Sequence, residues 1–488
     1  RGISLAMKLR ALLPLFILAA LLAACNPYGY PDFLKPDTPT PAPVAAAATE
    51  IPPIPSASPT PRPQPAATPQ AARLNDSGPW LTFLADTQAG YQIYALNPDG
   101  TGRRVVGAFP DLSGPVFARP RSAGKWFSLF NARNATLTIF QLPEGTTLTS
   151  FPLLSHPDLT SAQKLLYAGI FGRQDGSAQV WSPDGNLLAF TGAMDGGFTD
   201  LYIFDPRDGS QRRLTADVGE SSFPVWSPDS SALLVQELLM YPALGSYTTQ
   251  TVYYMTADGV TRRSLYAPAS EWEQIFGWID ASTFVVASRR PAGLMEARRY
   301  LLDERRHAQL KYAGAMDTAA FSPEKAVVAF ISQPKDKNAP GPAAGLYWTS
   351  PNSGPVSVER GTWQRLEYQP AAGRFFAARP GAVLSFYPGL DPVTYLDEDN
   401  LPAASPDGTQ VMFWSAAGSS SPGLRLYNLE GVPGRAVTTS PVTEASWAPD
   451  GSALFYVSSG DLYRVALPSG DPELIASSVS HLGWVGAP

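Results

Sequence analysis

Acidic residues occur at regular places in this sequence, in the short segments that precede copies of a Trp-Ser-Pro-Asp-Gly phrase. Within about eight residues before each copy stand Asp111, Asp175, Glu220, Glu271, Glu273, Asp317, Glu367, Asp397, Glu398, Asp399 and Glu444. Two such carboxylates that face each other could act as acid and base in glycoside hydrolysis, with Glu220 and Glu271 as the pair. Without that pairing, the same carboxylates would attract a cationic ligand.

Aromatic and basic side chains lie in the same segments. Trp272 and Trp363 could offer flat apolar surfaces to a peptide or a sugar ring. The candidate ligand-binding residues are therefore Glu220, Glu271, Trp272, Glu273, Asp317, Trp363, Arg365 and Glu444. The alternative interpretation is that these loops are acidic only because loops of soluble proteins are polar.

Metal chemistry has little support in the sequence. The chain has one cysteine, and its three histidines are scattered at positions 156, 307 and 481, so we expect no transition-metal site. Asp397, Glu398 and Asp399 are adjacent but lack the alternating oxygen pattern of a calcium loop. We therefore expect a solvated acidic turn there, no bound metal and no cofactor.

Serine hydrolase chemistry also lacks its signature. The sequence contains no Gly-x-Ser-x-Gly elbow, and the Ser-rich run from Gly418 to Gly423 is typical of a hairpin loop between two strands. A non-enzymatic role is favoured, and whether the chain is an enzyme stays open.

The phrase itself is a structural repeat. Its copies begin at Trp181, Trp226, Phe321, Ala404 and Trp447, with weaker copies around Trp278 and Tyr368. Their spacing clusters near 45 residues, the period of a four-stranded propeller blade. Pro, Asp and Gly specify a tight turn, and the preceding aromatic is interpreted as a core anchor between blades. These Asp residues are therefore not predicted to be catalytic.

The repeats predict an all-β fold, a single β-propeller closed by its C-terminal strand. First-strand anchors are expected at Phe117, Trp181, Trp226, Trp278, Phe321, Tyr368, Ala404, Trp447 and Trp484. Phe117 and Tyr368 are the weakest of these nine, so we predict about eight four-stranded blades, within a range of seven to nine. The segment His481–Val485 is expected to complete the blade that begins at Trp80, which leaves no exposed edge.

The N-terminal segment has the pattern of a processing signal. Lys8 and Arg10 precede an apolar run, and Leu22-Ala23-Ala24-Cys25 resembles the lipobox of bacterial lipoproteins. The resemblance implies lipid attachment to Cys25 after removal of residues 1–24, with translation starting at Met7. Residues 25–78 are rich in Pro, Ala and Thr and are expected to be a disordered tether, which leaves 79–488 for the propeller.

The repeat also resembles that of TolB-type propellers. The carrying residues are the Trp-Ser-Pro-Asp-Gly copies, followed by strands such as Leu201-Tyr202-Ile203-Phe204, and the resemblance covers about residues 79 to 486. It implies an extracytoplasmic ring used for protein contact, although similar repeats also cap prolyl-oligopeptidase-like hydrolases. TolB itself is a soluble periplasmic protein with an additional N-terminal domain, whereas here a lipobox and a tether stand in that place.

The net charge excludes one class of partner, nucleic acid. The formal net charge is −6, and nucleic-acid binders carry a basic face, so no nucleic acid is expected. The sequence predicts a membrane-anchored extracytoplasmic lipoprotein, facing the periplasm or the cell surface, whose ring binds an envelope protein or peptide. The alternative is a carbohydrate-binding module or a glycosidase-like enzyme that uses the channel-mouth carboxylates.

Overall fold

Nine antiparallel sheets form a β-propeller in the part of the chain that the structure describes. This computed structural model describes residues 73–88, 90–109, 116–118, 124–173, 177–216, 219–266, 272–289, 294–302, 306–309, 314–315, 318–334, 342–350, 353–396, 398–419 and 421–486. The propeller prediction is confirmed, but the count of about eight blades is one too low. Cys25 and residues 25–72 of the predicted tether lie outside the described residues. Residues 73–78, the end of the predicted tether, are described and contact blade 1: Leu74 is 6% exposed, and the Asn75 N–H donates to Asn97 Oδ1 at 2.9 Å.

The first five blades follow the chain in order. Blade 1 contains β1 (Trp80–Thr87), β2 (Gly90–Leu96) and β3 (Arg104–Phe109), and blade 2 contains β4 (Val116–Ala118), β5 (Trp126–Asn131), β6 (Thr136–Gln141) and β7 (Thr146–Pro152). Blade 3 contains β8 (Gln179–Trp181), β9 (Leu188–Gly192), β10 (Asp200–Asp205) and β11 (Ser210–Arg213). Blade 4 contains β12 (Glu220–Trp226), β13 (Ala232–Tyr241), β14 (Ser246–Thr256) and β15 (Arg262–Tyr266). Blade 5 contains β16 (Trp272–Trp278), β17 (Thr283–Arg289), β18 (Leu294–Leu301) and β19 (Arg306–Gln309), with β20 (Gly314–Ala315) also paired to β18.

The last four blades complete the ring. Blade 6 contains β21 (Thr318–Ser322), β22 (Val327–Ser332), β23 (Gly345–Thr349) and β24 (Val356–Arg360), and blade 7 contains β25 (Arg365–Gln369), β26 (Arg374–Arg379), β27 (Ala382–Tyr387) and β28 (Leu390–Leu396). Blade 8 contains β29 (Ala403–Ala404), β30 (Gln410–Ser415), β31 (Gly423–Asn428) and β32 (Pro433–Thr438). Blade 9 contains β33 (Glu444–Trp447), β34 (Ala453–Ser458), β35 (Asp461–Ala466) and β36 (Glu473–Ala476), and β37 (Val479–Val485) pairs with β1 as the fourth strand of blade 1.

All nine predicted anchors occupy the first-strand position of a sheet. The first strands of blades 2 and 3, 3 and 4, 5 and 6, 6 and 7, and 9 and 1 contact each other. Phe117 lies in β4 and Tyr368 in β25, so the two weakest copies of the repeat are both blades. The error in the count came from discounting these copies. Their turn phrases have drifted, but each of these copies still forms a sheet of four paired strands.

The Ser-Pro-Asp phrase closes the turn between the first and second strands. Ser405 Oγ donates to Asp407 Oδ1 at 2.6 Å and accepts the Gln410 N–H at 3.0 Å, while the Thr409 N–H donates to Asp407 Oδ1 at 3.1 Å. The bond from Ser405 is the main cause of a lowered pKa of Asp407. The same bonds recur at Ser227 and Asp229, which confirms the interpretation of the phrase as a turn.

Three tryptophan anchors join their blade to the preceding one through a hydrogen bond from the indole N–H. The Trp226 indole N–H donates to the Val180 carbonyl at 3.0 Å, and Trp278 donates to Val225 at 3.2 Å. In blade 9, Trp447 donates to the Ala403 carbonyl at 3.0 Å. In all three cases the acceptor is the residue directly before the anchor of the preceding blade. The aromatic anchor is therefore both a core side chain and a bond between blades.

The C-terminal strand closes the ring as predicted. Trp484 pairs with Leu81 and Val485 with Trp80 across β37 and β1. Thr82 Oγ1 donates to the Gly483 carbonyl at 2.9 Å, and the Trp484 indole donates to Ser446 Oγ of blade 9 at 2.9 Å. Both ends of the propeller sequence thus share one sheet.

One helix, α1 (Ser161–Phe171), occupies the insertion between blades 2 and 3. Thr160 caps its N-terminus in a capping box with Gln163, and Tyr167, Ile170 and Phe171 are buried. Among the described residues no helix has the length and apolar character needed to cross a membrane.

Replacing Trp447 by Phe should lower the free energy of unfolding by about 1–2 kcal/mol, because the Ala403 carbonyl loses its indole donor while most apolar burial is kept. Equilibrium unfolding in urea measures the change. Trp348→Phe is the matched control, since the Trp348 indole donates no hydrogen bond to a described residue. Equal losses in the two variants would contradict the role of the anchor bond.

Candidate functional site

Glu220, half of the predicted acid and base pair, is buried rather than open to the channel. It is 5% exposed, and its carboxylate accepts hydrogen bonds from the Tyr167 hydroxyl of α1 and from the Thr199 N–H. Burial raises the pKa of Glu220. Its partner in the predicted pair, Glu271, lies outside the described residues. Glu220 therefore binds α1 to the ring, with both carboxylate oxygens engaged and the side chain buried away from any ligand.

Trp363 offers no flat surface to a ligand. Its side chain is 1% exposed, and the Arg379 guanidinium lies over its ring at 4.6 Å from the ring centre. Gln333 Nε2 donates to the Trp363 carbonyl. The predicted platform is a core residue covered by a cation.

The remaining predicted residues have different outcomes. Trp272 and Glu273 belong to β16, and only their backbone is described. Asp317 lies outside the described residues together with Leu22, Ala23, Ala24 and Cys25. Arg365 and Glu444 line the same cavity. The structure thus brings together two of the eight candidate ligand-binding residues.

Glu398 and Asp399, which follow the last strand of blade 7, do not form the predicted solvated turn, and Asp397 lies outside the described residues. Glu398 is 1% exposed and pairs with Arg425 through two bonds, at 2.6 Å to Nε and 2.8 Å to Nη2. Tyr427 also donates to Glu398 at 3.1 Å, and Asp399 accepts the Gly381 N–H at 2.7 Å. The prediction failed because adjacency in sequence does not reveal a buried cation on the next blade. Among the described residues no group of three His, Cys, Asp or Glu could hold a metal ion.

A cavity of about 790 Å³ opens in the channel wall between blades 7 and 9. Its walls come from the first strands β25, β29 and β33, with Leu482 of β37 at one side. A cavity of this volume falls within the usual range for small-molecule and peptide sites. We call this space the channel cavity.

Every second side chain of β25 lines the channel cavity. Leu366 and Tyr368 pack into the core with blade 6, whereas Arg365, Glu367 and Gln369 line the cavity. Side chains alternate across a strand, so the buried pair and the cavity-lining set occupy opposite faces.

Most polar groups in the channel cavity already have partners. Arg365 Nη1 donates to Asn400 Oδ1 at 2.9 Å, and Gln369 Nε2 donates to the Pro402 carbonyl at 3.2 Å. Asn400 Nδ2 donates to the Trp414 carbonyl at 3.2 Å. Glu367 differs, because its carboxylate has no hydrogen-bond or ion-pair partner among the described residues. Although Glu367 is exposed to the channel, desolvation by the surrounding wall raises its pKa.

Glu444 lines the same cavity but has a structural task. Its two oxygens accept the consecutive N–H groups of His481 and Leu482, at 2.9 and 2.8 Å. These groups are in a bulge of β37, where His481 has a φ of 59° and the pairing with β1 shifts between Thr82 and Leu84. Glu444 thus fixes the closing strand to blade 9.

One feature of the channel cavity was not predicted from the sequence, namely the small side chain at one anchor position in its lining. Ala404 occupies the anchor position of blade 8, where the other described copies have an aromatic residue. Ala403 and Ala445 also line the space, so several of its lining side chains are small. The sequence did contain an indication of this feature, because Ala404 stands where Trp would be expected in an otherwise regular copy of the phrase.

No protein-family model matches the chain. The uncharacterized peptidase YuxL of Bacillus subtilis (strain 168) is 44% identical over 55 residues, which are 11% of this chain and 8% of that protein. The chain therefore matches only a small part of the length of this curated relative.

Solved structures resemble the chain in fold. A eukaryotic initiation factor has a TM-score of 0.54 at 12% identity and covers 84% of this chain and 99% of its own. Dipeptidyl peptidase 4 of Porphyromonas gingivalis has a TM-score of 0.50 at 13% identity, over 75% of this chain and 60% of its own. TolB from Acinetobacter baumannii is 16% identical over 74% of this chain and 65% of its own, with a TM-score of 0.30, too low to support an inference. At these identities the likeness concerns the propeller fold alone.

Glu444→Gln should lower the free energy of unfolding by about 1–3 kcal/mol, because the amide loses one of the two acceptors for the β37 bulge. Glu367→Gln is the matched control in the same cavity. Desolvation raises the pKa of Glu367 in the folded chain above its value in the unfolded chain. Glu367 therefore stabilises the fold at a pH below its unfolded pKa, and this stabilisation is lost as the pH rises through its folded pKa.

At pH 7 the Glu367→Gln variant should therefore be as stable as the native chain or slightly more so. Thermal unfolding of both variants at pH 7 tests the difference. A stable Glu444→Gln variant together with an unstable Glu367→Gln variant would reverse the assignment of the two carboxylates.

Proposed function

We propose that this chain is an extracytoplasmic lipoprotein, anchored by lipid on Cys25, whose propeller binds a cationic segment of an envelope protein or peptide in the channel cavity. The observation that carries the proposal is the carboxylate of Glu367. It lines a cavity of about 790 Å³ and has no partner among the described residues. A ligand ammonium or guanidinium group would supply that partner.

The electrostatics of the cavity favour a cation over an anion. Arg365, the cation among the described residues that line the cavity, is on the same strand face as Glu367 but is bonded to Asn400. Desolvation raises the pKa of Glu367, and an incoming positive charge would lower it again by stabilising the ionised form. Binding and ionisation of Glu367 therefore support each other.

The alternative glycosidase function is not favoured by the geometry. Both oxygens of Glu220 are engaged with Tyr167 and Thr199. The two acids of the channel cavity also differ in role, because Glu444 is engaged with the backbone of β37. A peptidase function has only the short match to YuxL in its favour, and the sequence contains no Gly-x-Ser-x-Gly elbow.

Peptide binding tests the proposal directly. The full chain should bind a fluorescein-labelled Lys-rich dodecapeptide more tightly than its Glu-rich counterpart in fluorescence anisotropy at 0.15 M salt. Glu367→Gln should weaken binding by roughly 10- to 100-fold, because a charge-assisted hydrogen bond is lost. The exposed Glu430→Gln is the control for the same change in net charge. Equal affinity of the two variants would contradict the site.

Anchoring is tested separately. Cys25→Ser should release the chain from membranes and abolish incorporation of labelled fatty acid, because the serine hydroxyl cannot take the place of the modified thiol. Membrane fractionation and fatty-acid labelling measure both effects. A Cys25→Ser variant that stays in the membrane fraction would overturn the anchor without affecting the peptide site.

A further inference from the structure

The anchors of the repeat all pack in one direction. Trp226 contacts the core of blade 3, Trp278 that of blade 4, Tyr368 that of blade 6 and Trp447 that of blade 8. Ala404 follows the same rule, since it packs against the blade 7 residues Phe376, Ala378 and Val383 and their neighbours. Each described anchor thus faces the blade before it.

Three of the five tryptophan anchors share one hydrogen bond, whereas the Trp181 indole has no partner among the described residues and the Trp484 indole donates to Ser446 Oγ. In blades 4, 5 and 9 the indole N–H donates to the carbonyl directly before the preceding anchor, at 3.0, 3.2 and 3.0 Å. For blade 8 the preceding anchor is Tyr368, so the corresponding acceptor is the carbonyl of Glu367. Alanine at position 404 has no group that could reach it.

The position that an anchor ring would take at residue 404 borders the channel cavity. Ala404 and Ala403 line it on the blade 8 side, and Glu367 and Gln369 line it on the blade 7 side. The volume of about 790 Å³ exceeds that of an indole, so the cavity can hold a ring together with the residues beside it. We call the position of the absent ring, between Ala404 and Glu367, the vacant anchor seat.

We propose that an aromatic side chain of the bound peptide, with an indole preferred, occupies the vacant anchor seat and donates its ring N–H to the Glu367 carbonyl. The ligand thereby completes a contact that tryptophan residues of the chain itself make in three other blades. This inference rests on the proposed function and specifies its ligand.

Glu367 then recognises the peptide in two ways. Its backbone carbonyl accepts the ring donor, and its carboxylate pairs with a cationic side chain. Because both groups belong to one residue, the aromatic and basic side chains of the ligand must be close in its sequence. The recognition element is therefore an aromatic residue beside Lys or Arg in an extended segment. A saccharide could stack in the seat but would lack the cation that Glu367 requires.

The test is to refill the seat from within the chain. Ala404→Trp should rebuild the missing anchor, raise the melting temperature by a few degrees and weaken peptide binding at least tenfold. Ala371→Trp, at an exposed turn of blade 7, is the control for adding the same side chain. Ala404→Phe is the smaller second variant if the tryptophan prevents folding, and it should also block binding. If Ala404→Trp and Ala404→Phe both lower the melting temperature and leave peptide binding unchanged, the proposal that the ligand occupies the vacant anchor seat is wrong.

The probes are capped decapeptides in a Gly-Ser background with a central Lys-Trp, Lys-Leu or Glu-Trp pair. Full-length protein should bind the Lys-Trp peptide at least tenfold more tightly than the other two in isothermal titration calorimetry. Equal binding of the Lys-Trp and Lys-Leu peptides, both weakened by Glu367→Gln, would overturn the aromatic seat and leave the proposed function standing. Failure of every Lys-containing peptide to bind would overturn both the aromatic seat and the proposed function. Displacement of the bound Lys-Trp peptide by a neutral oligosaccharide would also overturn both.

Discussion

The structure depends on the contact between consecutive first strands, where an aromatic anchor of one blade packs onto the blade before it. A four-stranded sheet has two apolar faces and cannot bury both alone, so each blade requires a neighbour on either side. The anchor supplies apolar area, and at Trp226, Trp278 and Trp447 the indole N–H also donates to a carbonyl of the preceding first strand. Ring closure follows from the same need, because the sheet of blade 1 is completed by β37 from the far end of the chain.

Much of the fold could be predicted from the sequence because the residues that specify each repeat are close together in the chain. Turn residues such as Ser405 and Asp407 satisfy each other within a few positions, and the anchors recur at the spacing of one blade. The number of blades was harder, because drift in the turn around Tyr368 obscures a blade whose strands are intact. The buried pair of Glu398 and Arg425 could not be predicted, since its members lie in different blades.

The site was only partly predictable for a related reason. Distance from an anchor indicates which end of the channel a residue is near, but the face it occupies depends on strand parity. Arg365 and Glu367 lie three and one positions before Tyr368 and share a face. Glu220 precedes a bulge between Ser222 and Val225, which disrupts the alternation, and its carboxylate is buried beneath the Tyr167 hydroxyl. The deciding feature was a missing side chain at position 404, which a search for chemically active residues overlooks.

The central claim is that the channel cavity beside Glu367 receives the cationic segment of a peptide. An experimental structure of the full chain with the Lys-Trp decapeptide tests it most directly. The account predicts the lysine ammonium within hydrogen-bond distance of the Glu367 carboxylate and the indole between Ala404 and β25. Peptide density elsewhere, for example in the smaller cavity of about 490 Å³ between Asp407 and Asp450, with Glu367 left unpaired, would contradict it.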